Sequence, residues 1–237
     1  MKDFIYSIDQ NVGEFFHKIY LWGGEVVNKI MEGISLLGEA GILFLLIAFI
    51  LILFKRTRKT GGLIILSIGL GFIFTNVILK NLIERARPFQ EVGSDFYKWW
   101  LDAGSIKESG FSFPSGHTTA ATCFALAIFY TTNKEKSWWV LLFPILMASS
   151  RIYLMVHYFT DCVGGLLVGG LSAIIAYLII KWIYSSKIRL FVWAREVNLF
   201  KKREAKKEPL KADNNQALIV DQEYVTLQEE NKRKTDD

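Results

Sequence analysis

The sequence predicts an all-α protein, a polytopic transmembrane helix bundle of about five spans preceded by an amphipathic helix. Three observations carry that reading. Half of the residues are apolar and aromatics are frequent. The apolar residues gather into four long runs and one shorter one, each close to the length that crosses a bilayer's hydrocarbon core. No sustained alternation of apolar and polar residues is present, as a membrane barrel would require, and helices alone satisfy their own backbone within lipid.

Taken in order, residues 1–33 mix Phe4, Ile5, Ile8, Val12, Phe15, Phe16 and Ile19 with Asp9, Glu14, Lys18 and Glu25. That spacing is helical and the composition is too polar to span, so an interfacial helix is expected, with no secretory signal peptide. Residues 34–185 hold the bundle, with spans at about 36–54, 61–79, 115–132, 138–155 and 162–183. Glu39 marks the outer end of the first, and Arg151 interrupts the fourth. Cys123 and Cys162 fall inside spans and read as packing residues. In the last span, Gly164, Gly165, Gly169 and Gly170 form a small-residue stripe suited to close helix contact. Residues 186–237 form a basic and then polar tail, with Trp193 and Phe200 among cations, expected on the inner leaflet and then flexible.

Basic residues orient the bundle. Lys55, Arg56, Arg58 and Lys59, then Lys134 and Lys136, then the C-terminal flank from Lys187 all fall on one side of a five-span chain, which places that side and the tail in the cytoplasm. Membrane orientation accounts for the net charge of +5, so no nucleic-acid partner is implied. Lys80, Arg85, Arg87 and Arg151 run against this bias. Cations clustered on the outer side repel one another unless an anion lies between them.

These cations belong to three clusters. The first runs from Lys80 to Pro88. Arg87 lies seven positions after Lys80, almost two helical turns, which projects both from one face of a helix about 10 Å apart. Pro88 disfavours helix at Arg87, so the helix is expected to end there. An ammonium and a guanidinium fork suit a phosphate, while Arg85 points elsewhere, towards solvent or headgroups. The second cluster is Pro114-Ser115-Gly116-His117, a helix start whose free N–H groups favour an anion, with His117 beside it as a proton donor. The third is Ser150 to Asp161. His157 and Asp161 are four apart, so on a helix the carboxylate would fix the imidazole tautomer and free the other nitrogen to attack, with Arg151 as a second guanidinium. Metal ligation is the rival reading; the flanking cations oppose it, and no metal or other cofactor is expected. Between the first two clusters, Phe96, Tyr97, Trp99, Trp100 and Phe111 suit an interfacial anchor or a lid over the site.

Lys80-x6-Arg87-Pro88, Pro114-Ser115-Gly116-His117 and Ser150-Arg151-x5-His157-x3-Asp161 together resemble the three-part signature of the type-2 phosphatidate phosphatase (lipid phosphatase/haloperoxidase) superfamily. Its members include bacterial undecaprenyl-diphosphate and phosphatidylglycerophosphate phosphatases, glucose-6-phosphatase-like enzymes and vanadate haloperoxidases. The resemblance covers about residues 30–185. It implies a membrane phosphatase acting on a phospholipid or prenyl diphosphate at the extracytoplasmic face. His157 would be the nucleophile forming a phosphohistidine, Asp161 its orienting partner and His117 the general acid. Lys80, Arg87, Ser115, Gly116 and Arg151 would bind the phosphoryl oxygens. Many relatives have six spans, and here the N-terminal helix stands in place of the first. Two further readings share the residues: a phosphoryl or headgroup transferase, and a non-catalytic lipid-binding or transport protein. The latter leaves the paired histidines and Asp161 without a purpose.

Overall fold

The computed structural model describes residues 2–186. Of the tail read from the sequence, residues 186–237, all but Ser186 lie outside the described residues. Among the described residues the chain is helical throughout, with no strands.

Helix α1 (Lys2–Leu37) carries one non-helical residue, Gly24 at φ 53°, which kinks it. It runs on past residue 33. Its inward face carries Asp9, Gly13, Phe16, Tyr20, Val27 and Ser35, and it packs against α8 and α9. A 3₁₀ turn, Glu39–Gly41, leads into α2 (Ile42–Leu53), and α3 (Arg58–Phe72) follows. The chain continues through a π-helical stretch, Ile73–Leu79, into the short α4 (Lys80–Ile83). Helix α5 (Asp95–Asp102) lies in the long connection to α6 (Gly116–Thr131). The one-turn α7 (Lys134–Ser137), a 3₁₀ turn and α8 (Leu142–Tyr153) come next, and α9 (Phe159–Ser185) closes the described chain.

The helical run Arg58–Gln90 and the helix Phe159–Ser185 are each long and apolar enough to cross a membrane. Asp3–Leu37 and Ile42–Leu53 would pass together as one bent span, with 47° between them. Helices α6 and α8, at 16 and 12 residues, are shorter than a complete crossing. Large apolar side chains such as Leu46, Phe49, Leu167, Leu171 and Leu178 face outward, as lipid contact demands.

Helices α3, α6 and α9 form the centre. Their close approach depends on the glycine stripe: a Cβ at Gly165 would lie 2.7 Å from the Ser115 carbonyl oxygen, and one at Gly169 would lie 2.7 Å from that of Thr119. The stripe therefore packs α9 against α6. Phe44, Leu63, Ile64, Ala121, Cys123 and Met147 fill the main core. Both cysteines are buried and free. Phe96 and Trp100 of α5 do not project outward. They build a second small core with Met155 and Tyr158, capping the end of the bundle where the three clusters meet.

Candidate active site

His157 lies at the centre of the site, and it is not helical. Helix α8 ends at Tyr153, Met155 adopts φ 52°, and α9 begins only at Phe159. Asp161 is the third residue of α9, and its carboxylate accepts the Tyr158 backbone N–H at 2.9 Å. The expectation of one helix carrying both residues is therefore corrected. The turn before α9 folds His157 back so that its Nδ1 stands 3.5 Å from Asp161 Oδ2. Ser112 donates to the same oxygen, and its hydroxyl lies 3.4 Å from Nδ1. On the other edge of the ring, Nε2 lies 3.3 Å from Arg87 Nη1. The ionised Asp161 carboxylate can only accept, which favours the ring proton on Nδ1, facing Asp161, and leaves Nε2 as the unprotonated nitrogen beside Arg87. Burial pushes the imidazole down to about 3, against the pull of Asp161, which leaves His157 neutral with its Nε2 lone pair directed into the site.

Arg87 arrives by a route that differs from the expected one. The helix ends at Ile83, where Glu84 turns left-handed at φ 50°, four residues before Arg87. Arg87 itself is extended, as the following proline requires. Its guanidinium, 2 % exposed, donates to the carbonyls of Gly110, Ser109 and Val156 and to Glu108 Oε2 at 2.8 Å. Arg151, equally buried, donates to the other Glu108 oxygen and to Ser35 of α1. One carboxylate thus bridges two guanidiniums beside His157.

A cavity of about 460 Å³ opens against these groups, lined by Lys80, Arg87, Glu108, Gly116, His117 and His157 among others. A second, of about 430 Å³, is lined by Lys29, Glu32, Lys107, Glu108, His117 and Arg151 among others. Glu108 and His117 border both. Gly116 leaves bare backbone at the first turn of α6. Ser115 is fully buried and lines neither cavity; its hydroxyl caps α6 by accepting from Thr118. Its backbone N–H donates to the Asp161 carbonyl at 3.0 Å, tying the starts of α6 and α9 together.

Arg85 departs from its expected outward orientation. Its Nη1 donates to Asp161 Oδ1 at 2.7 Å and to Thr160, and its Nη2 to Asp9 Oδ2 at 2.7 Å, with the guanidinium 3.9 Å above the Tyr158 ring. Asp9 also accepts the Thr160 N–H at 2.8 Å. Asp9, Arg85, Glu108 and Ser112 were absent from the sequence-derived site. The acid in a mainly apolar helix face at Asp9 was the one available signal. Among the described residues, no group of three or more His, Cys, Asp and Glu side chains is arranged to hold a metal ion.

A polar, cation-rich pocket at one end of an apolar helical bundle, with a neutral imidazole aimed into it, defines a membrane protein built to hold an anionic group. The comparisons agree with that class. The PAP2 superfamily profile matches residues 60–185, and the chain belongs to that family. It is 33 % identical over 177 residues to phosphatidylglycerophosphatase B of Bacillus subtilis, covering 70 % of this chain and 78 % of that one. It is 28 % identical over 166 residues to an undecaprenyl-diphosphatase of Sulfolobus acidocaldarius, covering 68 % and 76 %. Among solved structures, the PAP2-type phosphatidylglycerolphosphate phosphatase of Bacillus subtilis superposes with a TM-score of 0.56 at 26 % identity, over 76 % of this chain and 89 % of that one.

Proposed function

We propose that this protein is a lipid phosphatase that removes the terminal phosphate of a phospholipid or prenyl diphosphate through a phosphohistidine on His157. The observation that carries the reading is the imidazole itself: neutral, with its proton held towards Asp161 and its free Nε2 beside Arg87, at the wall of a cavity that His117 also lines. Nε2 attacks phosphorus, the bond to the leaving oxygen breaks, and His117 protonates that oxygen. Water then attacks phosphorus as His117 takes its proton, the P–Nε2 bond breaks with its electron pair returning to Nε2, and phosphate departs. Arg87, Arg151, Lys80 and the Gly116 backbone hold the oxygens as charge shifts, the main demand of phosphoryl transfer. Ser115 serves through its cap, by fixing the turn that presents Gly116 and His117.

Relatives named for phosphatidylglycerophosphate and for undecaprenyl diphosphate support a lipid substrate, as does the apolar surface around the bundle. In this reading the site faces outward, five segments cross the membrane, with α8 completed by the turns that lead into it and α6 by its flanking residues, α1 lies along the outer surface, and the tail is cytoplasmic. Purified protein given a panel of phosphatidate, phosphatidylglycerophosphate and undecaprenyl diphosphate should release phosphate from at least one. His157→Ala should abolish that release and with it an acid-labile, base-stable phosphoprotein. Unchanged turnover in the variant would refute the mechanism. An added alcohol that captured the phosphoryl group in preference to water would favour a transferase instead.

A further inference from the structure

We propose that Glu108 is a specificity gate, an internal anion that occupies the phosphoryl-binding position and yields it to phosphomonoesters and diphosphates but not to phosphodiesters. The inference rests on the phosphatase reading and extends it to the choice of ligand. Its basis is the bridge just described: Glu108 Oε2 takes Arg87 Nη1 at 2.8 Å, Oε1 takes Arg151 Nη2, and Oε2 stands 3.9 Å from His157 Nε2. A phosphoryl group poised for attack by Nε2 needs the same two guanidiniums and the same space. Carboxylate and phosphoryl group therefore exclude each other.

The surrounding structure lets the side chain leave while its backbone stays. Ser109 and Gly110 are pinned through their carbonyls to Arg87, Ile106 accepts from the Trp100 indole at 2.7 Å, and Ser112 donates its N–H to Arg85. The Glu108 side chain borders both cavities, and the second one, lined by Lys29 and Lys107 as well as Glu32 and Glu39, gives the displaced carboxylate room and lysines to turn towards. Arg151, whose Nε is buried without a partner, lines the second cavity.

Charge decides which ligands win. A phosphodiester carries one negative charge, as Glu108 does, and must displace a tethered competitor whose effective concentration is high. It gains nothing in charge by the exchange. A terminal phosphate carries between one and a half and two negative charges and a third free oxygen that can reach towards Lys80. In a membrane, diester headgroups surround the mouth of the site in vast excess over substrate. Specificity built by opposing the abundant competitor serves better there than tighter binding of everything.

The test uses the full chain in detergent micelles, with Glu108→Gln compared to wild type. Phosphate release from phosphatidate is measured as phosphatidylglycerol, a diester, is titrated in, and affinity for inorganic phosphate is measured separately by thermal shift. The variant should be inhibited at roughly tenfold lower mole fraction of phosphatidylglycerol and should bind inorganic phosphate roughly tenfold more tightly, since the competent state no longer has to be uncovered. Glu108→Asp, too short to bridge both guanidiniums, should move both readings in the same direction and stands in if the glutamine variant does not fold. Phosphate affinity that is unchanged or weaker, with unaltered diester inhibition, would overturn the gate while leaving the phosphatase intact. A wild-type protein that hydrolyses no lipid phosphate, paired with a variant that still binds phosphate more tightly, would instead overturn the phosphatase reading alone.

Discussion

Removing the Arg85 guanidinium tests whether α1 is wired into the site. Asp9 and Asp161 have fully buried carboxylates, and Arg85, with 24 % of its side chain exposed, is the cation that joins them. Arg85→Met keeps most of the stem and deletes the charge. Asp9 retains two bonds to Thr160, while Asp161 retains those from Ser112 and the Tyr158 N–H, so neither is stripped bare. Breaking a buried ion pair from one side costs about 3–5 kcal/mol; the partial exposure of Arg85 argues for the lower end, about 3 kcal/mol. For a chain of this size that corresponds to a fall of roughly 6–12 °C in Tm in detergent. Asp9→Asn alone should cost less, and the double variant should cost less than the sum of the two by about 1–2 kcal/mol, because both changes break one bridge. In phosphate-release assays Arg85→Met should lower kcat through a loosened Asp161 and leave KM nearly unchanged. A variant with undiminished Tm and a raised KM would refute the reasoning and return Arg85 to the headgroup role that its sequence position suggests.

Two further perturbations follow from burial and packing. Folded His157 binds a proton only near pH 3, whereas the unfolded ring does so near 6.5, so stability is lost as pH falls between those values and is fully present above 6.5; Arg87 and Arg151 oppose protonation and Asp161 favours it. Between pH 7.5 and pH 5, wild type should therefore lose about 2 kcal/mol relative to His157→Asn in thermal unfolding, and an equal loss in both proteins would show that the ring is not held neutral. Gly165→Ala should cost about 1–3 kcal/mol and reduce kcat, since its Cβ would press on the Ser115 carbonyl and the Thr119 nitrogen, while Gly170→Ala, with nothing within 4 Å, should be neutral or stabilising; similar Tm values for the two would disprove the close approach of α6 and α9.

What the sequence made legible was local chemistry; what it hid was reach. Arg87 could be assigned an extended backbone because the proline after it acts on its immediate neighbour, and the structure has it extended. The helix start at Ser115 and Gly116 and the glycine stripe were legible for the same reason, since each depends on residue type at a fixed offset, whereas the Ser115 hydroxyl, expected on the phosphate, caps α6. Helical spacing turns Arg85 away from Lys80 and Arg87 and points it to solvent, but the helix stops at Ile83 and its partners come from α1 and α9, 76 positions away on either side. Glu108 gave no local signal at all. An acid between Lys107 and Ser109 in a loop looks solvated, and only tertiary packing places it between two guanidiniums. The aromatics of α5 suggested an interface through composition, and the structure turns Phe96 and Trp100 inward, where indole and ring area is worth more.

Lys80 reaches the cavity for a reason that the spacing argument did not contain. In a regular α-helix, residues five apart point about 140° away from each other, which would turn Lys80 off the face that carries Thr75. The stretch Ile73–Leu79 is π-helical instead, and the Lys80 N–H donates to the Thr75 carbonyl five residues back. That wider turn stacks Lys80 nearly over Thr75, so Thr75, Asn76 and Lys80 all line the cavity together. Thr75 in turn meets the Thr119 hydroxyl at 3.2 Å, which fixes the π segment against α6 just above His117. A π turn is less stable than the α-helix it replaces, and it persists here where side-chain contact with α6 holds it. The motif spacing between Lys80 and Arg87 therefore does not measure one helix face. It measures the chain needed to leave a widened helix, reverse through Glu84 and return an extended Arg87 to the wall of the cavity that Lys80 also lines.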